Sequence, residues 1–240
     1  MNFKKKYIKK TMIFVHLGAG AGDLDERANF RCGFTEFIKK NVKSQDKIFV
    51  LEANPKNIPK LRECYKNFSN TNIYNLGISI DDKKKLHFYY TEDDAPHYQI
   101  CTTKIEHLRK HYPNSNIKKF EIKSLSVNEF FKENIKENII DYLSIDLEGI
   151  DFDALMSIDM KRFDVKNISI EYIHLSSLEK KKMIKYLNQF GYSYVGNGYD
   201  HNNFDFLFKR KKIFLNRLLS KFLWIISNKH IKFFNLFISK

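Results

Sequence analysis

The feature that most constrains this chain is a short, nearly continuous apolar run, Met12 to Leu17, that ends abruptly in Gly18-Ala19-Gly20-Ala21-Gly22. An apolar run without alternation is what a strand buried on both faces of a parallel sheet requires. Glycines directly after such a strand let the backbone turn sharply and approach a ligand closely, with N–H donors available at a helix start. The pattern then recurs. Lys47 to Glu52 reads as a second buried strand closing in a carboxylate, and Pro55 opens a helix running to about Phe68. Asn72 to Ile78 is a third strand and Lys85 to Tyr90 a fourth extended piece. Asp141 to Asp146 and Asn167 to Ile173 are further strands, and Tyr192–Val195 with Asp205–Lys209 close the domain. Helices are expected over Phe34–Val42, Asp151–Ile158 and Leu178–Phe190. Residues 91–120, with Pro96 and Pro113, show no period and read as polar and irregular.

Alternating strands and helices with about seven strands define an α/β fold, a doubly wound and mostly parallel sheet whose ligands bind beyond the carboxyl ends of the strands. Gly18–Gly22, Glu52, Ile78–Ser79, Asp146–Glu148 and His174 all fall just after strands. The expected organisation is a basic arm over residues 1–10, the α/β domain over 11–210, and a tail over 211–240.

The net charge of +14 invites a nucleic-acid reading until it is located. The first ten residues carry five lysines, and residues 209–240 carry nine basic and no acidic residues. The stretch between them is balanced. The excess therefore sits on two tails and not on a groove that tracks phosphates, and no nucleic-acid partner is expected. Cys32, Cys64 and Cys101 form no C-x-x-C, which argues against a disulfide framework and for a reducing, cytoplasmic setting. In the tail, apolar pairs such as Phe214/Leu215 and Leu218/Leu219 alternate with polar and basic residues, an amphipathic helical stripe. Its longest apolar run, Phe222 to Ile226, is far below the ~20 residues needed to span a bilayer. An in-plane helix on the inner face of a membrane and packing on the domain or a second subunit are both open readings.

A nicotinamide fingerprint would be G-x-G-x-x-G, but Asp23 occupies its third glycine position. The observed G-x-G-x-G suits an amino-acid nucleoside better than a pyrophosphate, which Asp23 would repel. Glu52, closing the second strand, is placed to accept hydrogen bonds from ribose hydroxyls. The charged loop Asp23–Gly33 is expected to cover the cofactor or the acceptor.

These residues resemble the FkbM-type methyltransferases. The resemblance runs from about Ile13 to Phe208. It rests on HLGAGAG (His16–Gly22), LEANP (Leu51–Pro55), NLGIS (Asn75–Ser79), SLSVNEFF (Ser124–Phe131), IEYIH (Ile170–His174) and the Gly191–Tyr192 pair. Its most specific part, IDYLSIDLEGIDFDAL (Ile140–Leu155), is similar to the family's D-x-L-K-I-D-x-E-G-x-E-x-x-x-L. The resemblance implies a class I, Rossmann-like fold that binds S-adenosylmethionine (SAM) and methylates a hydroxyl of a sugar, glycan or related small metabolite. On this reading His16, Gly18, Gly20, Gly22, Glu52, Ile78, Ser79 and Asp146 hold the cofactor. Two residues depart from the pattern. His16 stands where the family usually has Asp, and Ser144 where it usually has Lys. His16 is also the best support for the rival reading, a SAM-fold binding or scaffold module at a membrane surface that has lost catalysis. A second rival, methylation of exocyclic amines on nucleic-acid bases, goes with an N/D-P-P-Y/F segment, and here the strand ends D-L-E-G.

A hydroxyl is a poor nucleophile until its proton has somewhere to go, so a general base is expected. Asp146, Glu148 and His174 are the catalytic candidates. For Asp146 and Glu148 the alternative is capping of the following helix. Asp146, Glu148, Glu171 and His174 lack a recognised metal-ligand spacing, so no metal is expected. Residues 91–116, with Asp93, Asp94, His97 and Tyr98, are the candidate acceptor segment.

Overall fold

A computed structural model describes residues 10–24, 32–199 and 203–210. The basic arm apart from Lys10, most of the 23–33 loop and the 211–240 tail, with the roles expected of them, lie outside the described residues. The elements in chain order are β1 (Ile13–Leu17), α1 (Gly33–Asn41), β2 (Lys47–Glu52), α2 (Ile58–Cys64), β3 (Thr71–Asn75), β4 (Gly77–Ile78), β5 (Lys85–Thr91) and α3 (Ile105–His111). Then come β6 (Ile117–Leu125), α4 (Val127–Asn134), β7 (Ile139–Ile140), β8 (Tyr142–Ile145), α5 (Asp151–Ser157), β9 (Asp164–Val165), β10 (Asn167–Glu171), α6 (Ser177–Gln189), β11 (Tyr192–Asn197) and β12 (Asp205–Arg210).

Seven strands form the central sheet in the order β11-β12-β10-β8-β1-β2-β3. The β10-β8-β1-β2-β3 block is parallel, and β12 runs antiparallel between β10 and β11. Successive β1 side chains serve opposite faces, as the two-residue repeat of a strand dictates. Ile13, Val15 and Leu17 enter the core that includes residues of α4, α5 and α6, whereas Phe14 packs with α1 and α2. That two-sided burial is why the strand reads as a nearly continuous apolar run. Helices α4 and α6 each begin with a reciprocal Ser/Glu capping box, Ser126 with Glu129 and Ser176 with Glu179, which satisfies donors the first turn leaves open.

From β1 the chain builds outward to β2 and β3, then returns to add β8 on the other side. Order therefore reverses between β1 and β8, and the carboxyl ends of those two strands flank a ligand crevice.

Three expectations change. The stretch Asn72–Ile78 is not one strand. It breaks at Leu76, where the Asn75 side-chain amide donates to the carbonyls of Glu52 and Ala53 (both 2.9 Å). Beyond the break, β4 joins β6 in a second sheet, β4-β6-β5. The helix expected from Pro55 starts only at Ile58, because residues 54–57 form a turn in which Asn54 Oδ1 accepts the Lys56 N–H (3.1 Å). Residues 91–120 are ordered, not irregular. They hold a 3-10 turn at Glu92–Asp94, helix α3 and the start of β6. Asp94 anchors them by accepting the Ile100 N–H (2.9 Å) and the Tyr112 hydroxyl (2.7 Å).

Candidate active site

A cavity of about 520 Å³ lies at the carboxyl ends of the central strands. That is within the ~300–1,000 Å³ range of small-molecule sites. The glycine turn forms one wall. Gly18 (φ 84°) lies so close to β8 that a Cβ there would sit 1.6 Å from the Asp146 carbonyl oxygen. Its N–H and that of Ala19 both donate to the Leu51 carbonyl, at 3.0 and 2.9 Å. Gly20 (φ 55°) faces open space, with nothing within 4 Å of where its Cβ would lie. Gly22 lines the cavity beside Cys64.

Glu52 is buried at the end of β2 and lines the cavity. Its Oε2 accepts the Gly20 N–H and its Oε1 the Asn54 N–H, both at 2.7 Å, so the carboxylate latches the glycine turn to the neighbouring strand. Burial pushes this carboxyl up to about 7 despite those bonds. Ile78 lines the cavity, but Ser79 is not among the lining residues. The Ser79 hydroxyl instead donates to Asp81 (2.8 Å) and accepts the Lys83 N–H (2.9 Å), holding the turn after β4.

His16 is buried on the α1 side of the sheet, its ring centroid 4.6 Å from that of Phe34. Burial holds the imidazole down at about 3, so it is neutral near pH 7. Its cross-strand partner in register is Ser144, the other departure from the family pattern, and both line the cavity. Two departures 128 positions apart in sequence are thus neighbours on adjacent strands.

Across the crevice, the turn after β8 carries Asp146, Glu148 and Gly149. Asp146 lines the cavity, and its buried Oδ1 has no hydrogen-bond partner. Burial, reinforced by the carboxylates of Glu171, Glu148 and Asp151, holds it well above the usual carboxylate range. Neither acid caps the following helix, since α5 starts without a side-chain cap; Asp151 instead folds back to accept the Leu147 (2.6 Å) and Gly149 (3.0 Å) N–H groups, closing the turn before it. Glu148, in the left-handed region (φ 50°), makes a 3.0 Å contact with His107 Nε2. Its carboxyl is raised by burial, with His107 opposing. The Thr102 hydroxyl donates to the Glu148 carbonyl (2.8 Å), pinning the 91–116 segment to this turn. His174 also lines the cavity, and burial with the neighbouring His107 and His111 lowers it to about 4.

Of the acceptor candidates, His97 lines the cavity, whereas Asp93, Asp94 and Tyr98 are not among the lining residues. Tyr98 donates to Glu92 and lies under the Lys56 ammonium, 5.0 Å from the ring centroid. His107, His111 and Asp151 were not anticipated. The signals available were the four-residue spacing of the two histidines and the acid four residues after Leu147.

The glycine turn, the latched acid of β2 and the acidic turn after β8, gathered at the reversal of a parallel sheet, define a class I SAM-dependent methyltransferase site. The family model described as the methyltransferase FkbM domain matches residues 17–194, and the chain belongs to that family. A search of curated proteins finds no match. Solved structures give distant likenesses of the fold. A Methanococcus jannaschii fibrillarin pre-rRNA processing protein matches at 10% identity over 84% of this chain and 67% of that one, with a TM-score of 0.44. An Aeropyrum pernix fibrillarin with natively bound S-adenosyl-L-methionine matches at 12% identity over 83% and 65%, with a TM-score of 0.42. A Streptococcus thermophilus rRNA methylase matches at 13% identity over 84% and 88%, with a TM-score of 0.38.

SAM is the methyl donor of the family. The residues fit it. The open space over Gly20 leaves room for the backbone to meet a nucleoside, and the unpartnered Asp146 oxygen with the nearby acids suits a positively charged sulfonium. Among the described residues no helix is long and apolar enough to cross a membrane.

Proposed function

We propose that this methyltransferase acts on a hydroxyl of a sugar, glycan or related small metabolite, with Asp146 as the general base. SAM supplies a methyl group on a sulfonium, open to in-line displacement. The turn Gly18–Gly22 and Glu52 hold the adenosyl portion, with His16 and Ile78 as further cavity walls. Asp146, Glu148 and Glu171 favour the cationic centre.

The observation that carries the proposal is the buried, unpartnered Oδ1 of Asp146 in the cavity wall. A carboxyl raised by burial and by neighbouring acids is a better match to a hydroxyl proton than an ordinary carboxylate. Ile173 and Phe204, 38% and 36% exposed, also line the cavity and offer apolar edges to the C–H face of a sugar ring. Alignment of donor and acceptor supplies much of the remaining acceleration.

The test is incubation with methyl-labelled SAM and a panel of free sugars, nucleotide sugars and oligosaccharides. The expected product carries the label as an alkali-stable methyl ether. Label found only on nitrogen or carbon, or only on RNA, refutes the assignment.

A further inference from the structure

We propose that His107, His111 and His174, with the Glu148 carboxylate beside them, bind one divalent transition-metal ion at the edge of the cavity. His107 and His111 are four residues apart on α3, a spacing that puts both side chains on one helix face. His174 comes from the segment after β10, at the end of the central sheet. The three ring centroids lie 5.2 Å (107–111), 4.5 Å (107–174) and 5.7 Å (111–174) apart. One ring nitrogen from each lies within 4.8 Å of the others. Bonds of 2.0–2.1 Å to one tetrahedral ion place ligand nitrogens about 3.3 Å apart, so modest side-chain rotation closes the set.

A fourth group lies beside two of the three histidines. Glu148 Oε2 is 3.0 Å from His107 Nε2, and Glu148 is within reach of His174 as well. The His107 ring packs over Gly149, where a Cβ would come within 3.3 Å of Nδ1, which leaves Nε2 as the nitrogen facing the carboxylate. A Cβ there would push the ring back by a few tenths of an ångström, and the φ of 100° itself favours glycine. Three imidazoles and a carboxylate suit zinc, cobalt or nickel rather than magnesium or calcium, which prefer all-oxygen shells. His111 and His174 line the same cavity as Asp146. An ion there can hold an acceptor oxygen and ease loss of its proton; that role, unlike the binding itself, rests on the hydroxyl-methylation reading.

The test uses full-length protein without a polyhistidine tag, stripped with EDTA, dialysed and titrated with Co²⁺. The expected result is one ion per chain with visible absorption of a four- or five-coordinate site. His111→Ala and His174→Ala should each weaken binding by on the order of 100-fold or more, exceeding typical outer-shell effects. His87→Ala, on β5 and outside the cluster, should leave it unchanged. Both cluster variants truncate side chains at the cavity edge, outside the apolar core, and their circular dichroism and melting midpoint in EDTA should match the parent. Absence of a Co²⁺ spectrum, or a spectrum indifferent to both substitutions, overturns the site. Because the readout involves no turnover, its failure leaves the hydroxyl-methylation proposal standing, and the reverse holds too.

Discussion

Asp146→Asn is expected to lower kcat by about 10²–10⁴-fold, the range associated with loss of a general base, while leaving the protein folded. The substitution preserves shape and removes the proton acceptor. It also removes one negative charge from a buried group of acids that raise one another, Asp146 with Glu171, Glu148 and Asp151. The melting midpoint should therefore hold or rise as turnover falls, a combination that general damage to the fold does not produce. The measurement is turnover at saturating SAM with an acceptor from the sugar panel, beside Glu148→Gln and His174→Ala. Unchanged turnover in Asp146→Asn would remove the proposed mechanism, whatever the other two variants do.

Gly18→Ala should be the most damaging single methyl addition in the crevice. The added Cβ would sit 1.6 Å from the Asp146 carbonyl oxygen, a backbone atom no rotamer change can move. Both partners are tied down. The Gly18 N–H donates to Leu51, and the Asp146 N–H donates to the Leu17 carbonyl at 2.9 Å. Relief requires prising β1 from β8, in addition to the ~1–2 kcal/mol an L-residue incurs in the left-handed region. A loss of about 4 kcal/mol or more is expected, a large share of the ~5–15 kcal/mol that holds a typical domain. Gly20→Ala is the internal control. It meets nothing within 4 Å, so the protein should stay folded and lose SAM affinity instead. Urea titration and calorimetry separate the two outcomes. A Gly18→Ala protein of parental stability would show that the crevice is looser than described.

The strands of the parallel core were legible in the sequence because both of their faces are buried, which writes a nearly continuous apolar run within Ile13–Leu17 and Lys47–Glu52. The cavity-lining residues that follow those strands, Gly18–Gly22, Glu52 and Asp146, were legible for the same reason. Elements fixed by distant partners were not. Helix α3 has seven residues and no side-chain cap at its start. Its segment is held in place by Thr102 bonding the Glu148 carbonyl and by Asp94 bonding Tyr112, contacts that no local period records. Strand β6 is largely exposed at Lys118, Lys119 and Glu121, so it lacks a continuous buried face. The histidine cluster stayed hidden because His174 lies 63 positions beyond His111 and only the fold joins them. Ser79 follows a strand, as expected of a site residue, yet the turn to Lys83 takes its hydroxyl.

The central claim is that the crevice between β1 and β8 grips an adenosyl group. Isothermal titration of the full chain with S-adenosylhomocysteine, and separately with NAD, tests it most directly. The expected result is one S-adenosylhomocysteine per chain, weakened in Gly20→Ala, with no heat from NAD. Saturable binding of NAD with none of S-adenosylhomocysteine would contradict it.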